Sequence, residues 1–313
     1  MLDDPKTNWF MSLPATAPTV PTTPSASTPL SSPWATIAEA VRELSQSREL
    51  LYQLTLRDIR IRYKQAVMGF GWAVLMPVMI VGAGLIVRLV LSSTGVKLGD
   101  SGVAGMAAKG VCWSFFAGAL GFGTASLVAN VNLVSKVYFP REVLPLSAVA
   151  AQSFDTLIAV GALAVALPFL GATLSPALLW LPILALLLIA LTSASALFLS
   201  CANLFFRDVK YIVQLLLTFG IFFTPVLFEP AMLGVTGAKL IMLNPLAPIL
   251  EGVRLVLSGN DLLHTITEST AKGILVVAWQ PWYLLYSAAW ALGGFLLSLL
   301  IFHRLEFIFA EYL

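Results

Sequence analysis

The feature that most restricts this chain is the stretch RDIRIRYKQAVMGFGWAVLMPV, Arg57 to Val78, in which Arg57, Arg60, Arg62 and Lys64 give way to an uncharged run reaching Val87. A basic cluster set against a long apolar run marks the start of a transmembrane helix, because Lys and Arg resist translocation. Arg57, Arg60 and Lys64 follow i, i+3, i+7 and share one helical face. Two readings of that face stay open: an anchor among lipid headgroups, or a site for an anionic substrate. The whole chain agrees with a membrane protein. It is 58% hydrophobic and 11% charged, against about 25% charged in soluble proteins, and no soluble fold hides that much apolar surface. The net charge of +2 is too small to suggest nucleic acid.

The spans follow from length. Crossing ~30 Å of hydrocarbon takes ~20 apolar residues. Such runs are expected at 67–91, 108–131, 143–168, 176–201, 210–229 and 281–302. The opening Met1-Leu2-Asp3-Asp4 has neither the basic start nor the apolar core of a signal peptide, so the first span is expected to act as the targeting signal. Residues 1–33 form a Pro-, Ser-, Thr- and Ala-rich tail, expected to be extended and solvated. Residues 34–64 read as an amphipathic helix lying in the interface plane, with Thr36 and Glu39 at capping-box spacing and a break at Ser45-Gln46-Ser47. Residues 65–313 are the six-span domain. The predicted fold is therefore all-α, with two outer re-entrant half-helices between spans five and six, at 230–243 and 246–257. Both are too short to cross, and Asn244-Pro245 and Pro248 break them. Two helices lying flat on the outer surface are the alternative.

Charge orients the spans. Eleven Lys and Arg fall on one side: Arg42, Arg48, Arg57, Arg60, Arg62, Lys64, Lys136, Arg141, Arg207, Lys210 and Arg304. Five fall on the other: Lys97, Lys109, Lys239, Arg254 and Lys272. The bias predicts that both termini are cytoplasmic.

Other residues have chemistry worth weighing. Cys112 and Cys201 are expected near opposite membrane faces as free thiols. His264 and His303 are well separated and have no Cys or carboxylate cluster around them, so neither a metal site nor a catalytic group is expected. Asp155 lies deep in the third span; a proton-coupling role is one reading, but no second ionisable residue is evident at its depth, which favours a packing role. Glu251 and Arg254, at i, i+3, pair either as part of an outer gate or as a purely structural contact. Phe219, Phe222 and Phe223 at i, i+3, i+4, with Phe228 beyond, are either lipid-facing anchors or a channel lining on which sugar rings stack. No G-x-x-x-x-G-K-[ST] loop is present. If ATP drives this protein, the ATPase is another chain, and the short turn Asn132–Arg141 is its candidate docking surface.

Four segments together resemble one family. The stretch from Arg57, then SKVYFPREVLPLS (Ser135–Ser147), LFFRDVKYIVQ (Leu204–Gln214) and NPLAPILEGVR (Asn244–Arg254), is similar in order to ABC-transporter permeases that export polysaccharides, the O-antigen, group 2 capsule and teichoic acid exporters. The resemblance covers about residues 50–313. It implies a homodimeric permease of the bacterial inner membrane that moves a lipid-linked polysaccharide, with ATP and Mg on two separate ATPase subunits and no cofactor in this chain. It implies that Ser135, Lys136, Val137, Tyr138, Phe139, Pro140 and Arg141 form the coupling helix. The channel would be lined by spans one and five, and Arg57, Arg60, Arg62 and Lys64 would meet a pyrophosphate at the inner entrance. Permeases for another lipid or drug-like substrate are the alternative. An ion-coupled carrier would need internal repeats and paired midplane charges, and a membrane enzyme would need clustered carboxylates or histidines at one face.

Overall fold

The computed structural model describes residues 33–64, 103–136, 139–170, 175–269 and 275–306, together with scattered positions between 69 and 90 and Phe309. The expected first span, 67–91, and the tail 1–32 lie largely or wholly outside the described residues. The elements in order are α1 (Pro33–Gln46), α2 (Arg48–Tyr63), α3 (Val103–Ala129), α4 (Val131–Lys136), α5 (Val143–Ala166), α6 (Leu181–Phe205), α7 (Val209–Gly220), α8 (Gly234–Ile241), α9 (Leu246–Leu257), strands β1 (Ile266–Ser269) and β2 (Leu275–Trp279), and α10 (Pro281–Leu305). Single 3-10 turns occupy Leu167–Leu170, Pro176–Trp180 and Pro230–Leu233.

Among the described residues, four helical stretches are long and apolar enough to cross a membrane: Ala104–Ala129, Val143–Ala166, Pro176–Phe205 and Pro281–Leu305. They coincide with expected spans two, three, four and six. The fifth does not form as one helix. α7 ends at Gly220 after 12 residues, about 18 Å of rise, and turns occupy 221–228.

α3, α5 and α6 pack on one another, and α10 lies along α6. The approach of α3 to α6 depends on Gly123, where a Cβ would come within 2.9 Å of the Ala196 Cβ. Small residues at helix contacts let backbones close in where lipid supplies no hydrophobic push between helices. Of the two larger hydrophobic clusters among the described residues, one gathers Trp113, Leu184, Ile249 and Trp279. The other, at the end carrying α1 and α2, gathers Leu54, Phe139, Leu197, Phe302 and Phe309.

The N-terminal segment is two helices broken at Ser47, which stands between α1 and α2. Thr36 does not cap α1, which begins earlier, at Pro33. A proline in the first turn costs no hydrogen bond there. The second half of α2 does not stand apart from the bundle. It packs along α5, with the Ser147 hydroxyl 3.3 Å from Asp58 Oδ2 and Arg62 two turns further along α5, at Asp155.

The segment after α7 folds back on the bundle as two short helices, α8 and α9, with the chain interrupted at Asn244-Pro245. The interruption leaves no stranded carbonyls: Tyr286 Oη donates to Leu243 O, and Ser287 Oγ donates to Pro245 O at 2.9 Å. Asn244 Oδ1 accepts the Leu246 N–H at 3.1 Å and so starts α9. Pro248, expected to break the segment, sits in the first turn of α9, where its missing N–H is harmless. All twelve residues of α9 are buried, among α3, α6 and α10. The all-α expectation also missed an antiparallel pair, in which β1 faces β2 with Thr267 opposite Val277 and Glu268 opposite Val276.

Candidate functional site

The four basic residues at 57–64 do not act as one cluster. Arg60 and Lys64 are exposed. Arg57 is turned onto its neighbour Asp58 at 2.8 Å. Arg62 points the other way, into the bundle. Its Nη1 donates to Gln152 Oε1 at 2.9 Å and to Asp155 Oδ2, and its guanidinium lies 4.2 Å from the centre of the Phe122 ring. Tyr63 Oη donates to the other Asp155 oxygen. Asp155 therefore has an ionic partner, contrary to the expectation from sequence. The partner was missed because α2 precedes the first span, and linear position alone does not show that it climbs α5. Burial, helped by the hydrogen bond to Asp155, holds the Tyr63 phenol well above its usual range.

At the other end of the bundle the predicted Glu251–Arg254 pair is present within a larger buried set. Arg254 Nε donates to Glu251 Oε1 at 2.8 Å, and Nη2 reaches Glu268 Oε1 on β1. Glu229 Oε1 stands 4.0 Å from Arg254 Nη1. Lys109 Nζ donates to Phe228 O at 2.9 Å and lies 3.6 Å from Glu251 Oε2. Lys109, Glu229, Glu251 and Arg254 are each less than 5% exposed. Two cations thus face three carboxylates, with Glu268 at the more exposed edge, tying α3, the turn before the Pro230–Leu233 segment, α9 and β1 together. Space around them is tight: a Cβ on Gly105 would lie 2.6 Å from Arg254 Cγ. Lys109, counted from sequence among outer-side charges, is inside this set. A lysine in the second turn of an apolar helix was the available signal.

The phenylalanines divide as well. Phe219 ends α7, whereas Phe222 and Phe223 fall in the turns beyond Gly220, so the i, i+3, i+4 face does not form. Phe219, Phe222 and Phe223 are more than half exposed. Phe219 and Phe223 line an open apolar groove of about 690 Å³ with Trp113, Phe116, Leu199 and Asn244. Phe228 is half-buried and contributes its carbonyl to Lys109.

The turn between α3 and α5 faces inward more than its sequence suggests. Ser135 and Lys136 end α4, and Val137 and Tyr138 lie outside the described residues. Phe139 is 8% exposed and packs with Phe302, Phe309 and Leu197 instead of facing water. Arg141 Nη1 donates to Glu306 O at 2.6 Å, and its backbone N–H donates to Glu306 Oε1 at 3.2 Å. Pro140 borders a cavity of about 200 Å³ with Glu43, Gln46, Ser47, Phe139 and Glu306. In the turn between α6 and α7, Phe206 is 71% exposed beside Arg207 and Asp208. Asn203 braces that turn, donating to Thr124 O at 3.0 Å and accepting the Lys210 N–H at 3.1 Å.

His303 is not isolated, as its sequence context suggested. Its Nδ1 stands 3.1 Å from Glu142 Oε1 and 3.9 Å from Glu306 Oε2. Burial and the nearby Glu142 push the Glu306 carboxyl up to about 7. Glu142, His303 and Glu306 are the one group of described residues with donor atoms close enough to share a metal ion.

Comparison with known proteins matches these elements to a family. Residues 49–257 match the model described as ABC-2 type transporter. An O-antigen export system permease protein RfbA from Klebsiella pneumoniae is 28% identical over 272 residues, 85% of this chain and 95% of that protein. An O-antigen export system permease protein RfbA from Myxococcus xanthus is 27% identical over 219 residues, 69% of this chain and 83% of that protein. The matched region contains α2 with its Arg62–Asp155 contact, both polar turns and the whole of α9, and the chain belongs to the ABC-2 type transporter family of membrane proteins.

Proposed function

We propose that this chain is the permease subunit of an ABC exporter that carries a lipid-linked polysaccharide of the O-antigen type out of the cytoplasm. The observation that carries the reading is the match to relatives named as O-antigen export permeases along nearly their full length. Two copies would enclose the path, and two separate ATPase chains, holding ATP and Mg, would supply the power. Six spans fit this reading, with α7 and the turns after it as the fifth and the segment 67–91 as the first. The end carrying α1, α2 and most of the Lys and Arg lies in the cytoplasm of a bacterial inner membrane. α8 and α9 then enter from the outer face, and the complete burial of α9 favours re-entrant helices over helices lying flat.

Roles follow from what each side chain leaves free. Arg60 and Lys64 are available to a pyrophosphate at the inner entrance, with Arg57 beside them, while Arg62 positions α2 instead. The connector, residues 135–141, and exposed Phe206 form the surface offered to the ATPase. The groove lined by Phe219 and Phe223 gives aromatic faces to sugar rings, and Phe222 extends it. The set around Glu251 and Arg254 holds the outer gate shut until it moves as a unit. An ion-coupled carrier is the second reading, because Arg62 and Asp155 provide the paired deep charges it requires.

The test is to purify the chain with its partner ATPase and reconstitute both in liposomes. The reading requires ATP hydrolysis that rises when lipid-linked glycan is added, and glycan movement that stops without ATP. Glycan movement by the permease alone, or movement driven by an ion gradient, would overturn it.

A further inference from the structure

We infer that Glu142, His303 and Glu306 form a binding site for a divalent transition-metal ion of the zinc or manganese class, at the end of the bundle where α5 begins and α10 finishes. His303 Nδ1 lies 3.1 Å from one Glu142 oxygen and 3.9 Å from Glu306 Oε2, and the three donor atoms all lie within 4.8 Å of one another. An ion with bonds of about 2.0–2.2 Å needs neighbouring donors roughly 3.3 Å apart, so small side-chain movements close the set.

A second observation at the same place also points to a ligand. Glu142 is 2% exposed, and its Oε2 accepts no hydrogen bond among the described residues. A buried carboxylate oxygen with no partner is costly. Because it shares a carbon with the oxygen facing His303, it lies beside the donor set, where a cation would satisfy it. The surroundings have the features of an outer coordination shell. The Arg141 N–H holds Glu306 Oε1 at 3.2 Å, which orients that carboxylate and leaves Oε2 facing the histidine. Such partners fix ligand orientation at metal sites. Charge favours a cation: Glu43, on the wall of the adjoining cavity, joins Glu142 and Glu306, with Arg141 beside Glu306. The cavity, about 200 Å³ and bordered by Glu306, leads to the set from outside. Two carboxylates and one imidazole leave open positions for water and suit borderline ions better than Mg²⁺, which prefers oxygen donors throughout.

A bound ion would fasten the first residue before α5 to the end of α10, one turn from Phe139 and Pro140. The experiment uses the full chain in detergent, stripped with chelator and then titrated separately with Zn²⁺, Mn²⁺ and Mg²⁺. Elemental analysis gives the stoichiometry and thermal unfolding the response. One Zn²⁺ or Mn²⁺ per chain, bound tighter than about 10 μM, with a Tm that falls on chelation and recovers on refilling, is the expected result. His303→Ala should weaken binding at least about 100-fold and Glu306→Gln about tenfold or more. Should His303→Ala fail to fold, Glu306→Gln decides, since its amide keeps the size and the Arg141 contact. No saturable Zn²⁺ or Mn²⁺ binding by the native chain, or the same affinity in Glu306→Gln, would show that the three residues are only an ion pair and would overturn the assignment.

Discussion

Arg62, at the end of α2, is bound to Asp155, near the middle of α5, and the two hold α2 against the bundle. Both side chains are largely buried, so removing one strands the other. Arg62→Gln and Asp155→Asn should each lower stability by about 3–5 kcal/mol, and the double variant should recover part of that loss. A double-mutant cycle on thermal or denaturant unfolding in detergent measures the coupling. Additive losses would mean that the contact carries no coupling energy.

Among the described residues, Arg254 is the one guanidinium facing Glu229, Glu251 and Glu268. Arg254→Met leaves three carboxylates around one lysine and should cost about 3–5 kcal/mol. Glu268 lies at the more exposed edge of the set, so Glu268→Gln should cost less, about 1 kcal/mol. Unfolding of both variants in one detergent gives the ranking, and equal losses would contradict the buried-to-exposed gradient.

Arg60 and Lys64 are the exposed pair of the basic cluster. At about 1 kcal/mol per cation beside an anionic surface, neutralising both should raise the glycan concentration for half-maximal ATPase stimulation by roughly thirtyfold, with insertion unchanged. Arg62→Gln, by contrast, should act through stability. An unaltered stimulation curve for the Arg60, Lys64 double variant would remove them from substrate contact.

Two phenylalanines in the polar turns should fail in different ways. Phe139→Ala removes a ring packed inside this chain and should lower stability by about 3–5 kcal/mol. Phe206→Ser removes an exposed ring, should leave Tm nearly unchanged and should weaken ATPase binding by about 2 kcal/mol, roughly thirtyfold. Co-purification and unfolding, run side by side, separate the two.

The spans were legible where apolar length decides the outcome, as at Val143–Ala166 and Pro281–Leu305, because a run of that length with hardly a charge has few other places to go. The break at Asn244-Pro245 was legible from turn chemistry. The fifth span was misjudged because its apolar run continues past Gly220, and composition does not reveal where backbone hydrogen bonding stops. Polar partners were the least legible. Asp155 and Arg62 are 93 residues apart, and Glu142 and His303 are 161 apart. Such pairs are set by which helices touch, and helix neighbours are a property of packing. The hairpin was missed for a similar reason: Ile266–Ser269 alternates too briefly to register as a strand until Leu275–Trp279 lies against it.

α5 touches two places that the chain keeps far apart. Its first turn follows directly on Arg141 and Glu142, and Asp155, about 18 Å further along, grips α2. A helix of that length is stiff, so it works as a connecting rod: a shove of an ångström or two at the 139–141 corner arrives at Arg62 almost undiminished. Arg60 and Lys64, two residues either way from that grip, would be carried along with it; if they meet the cargo as proposed, grasping it and receiving a stroke would become one motion.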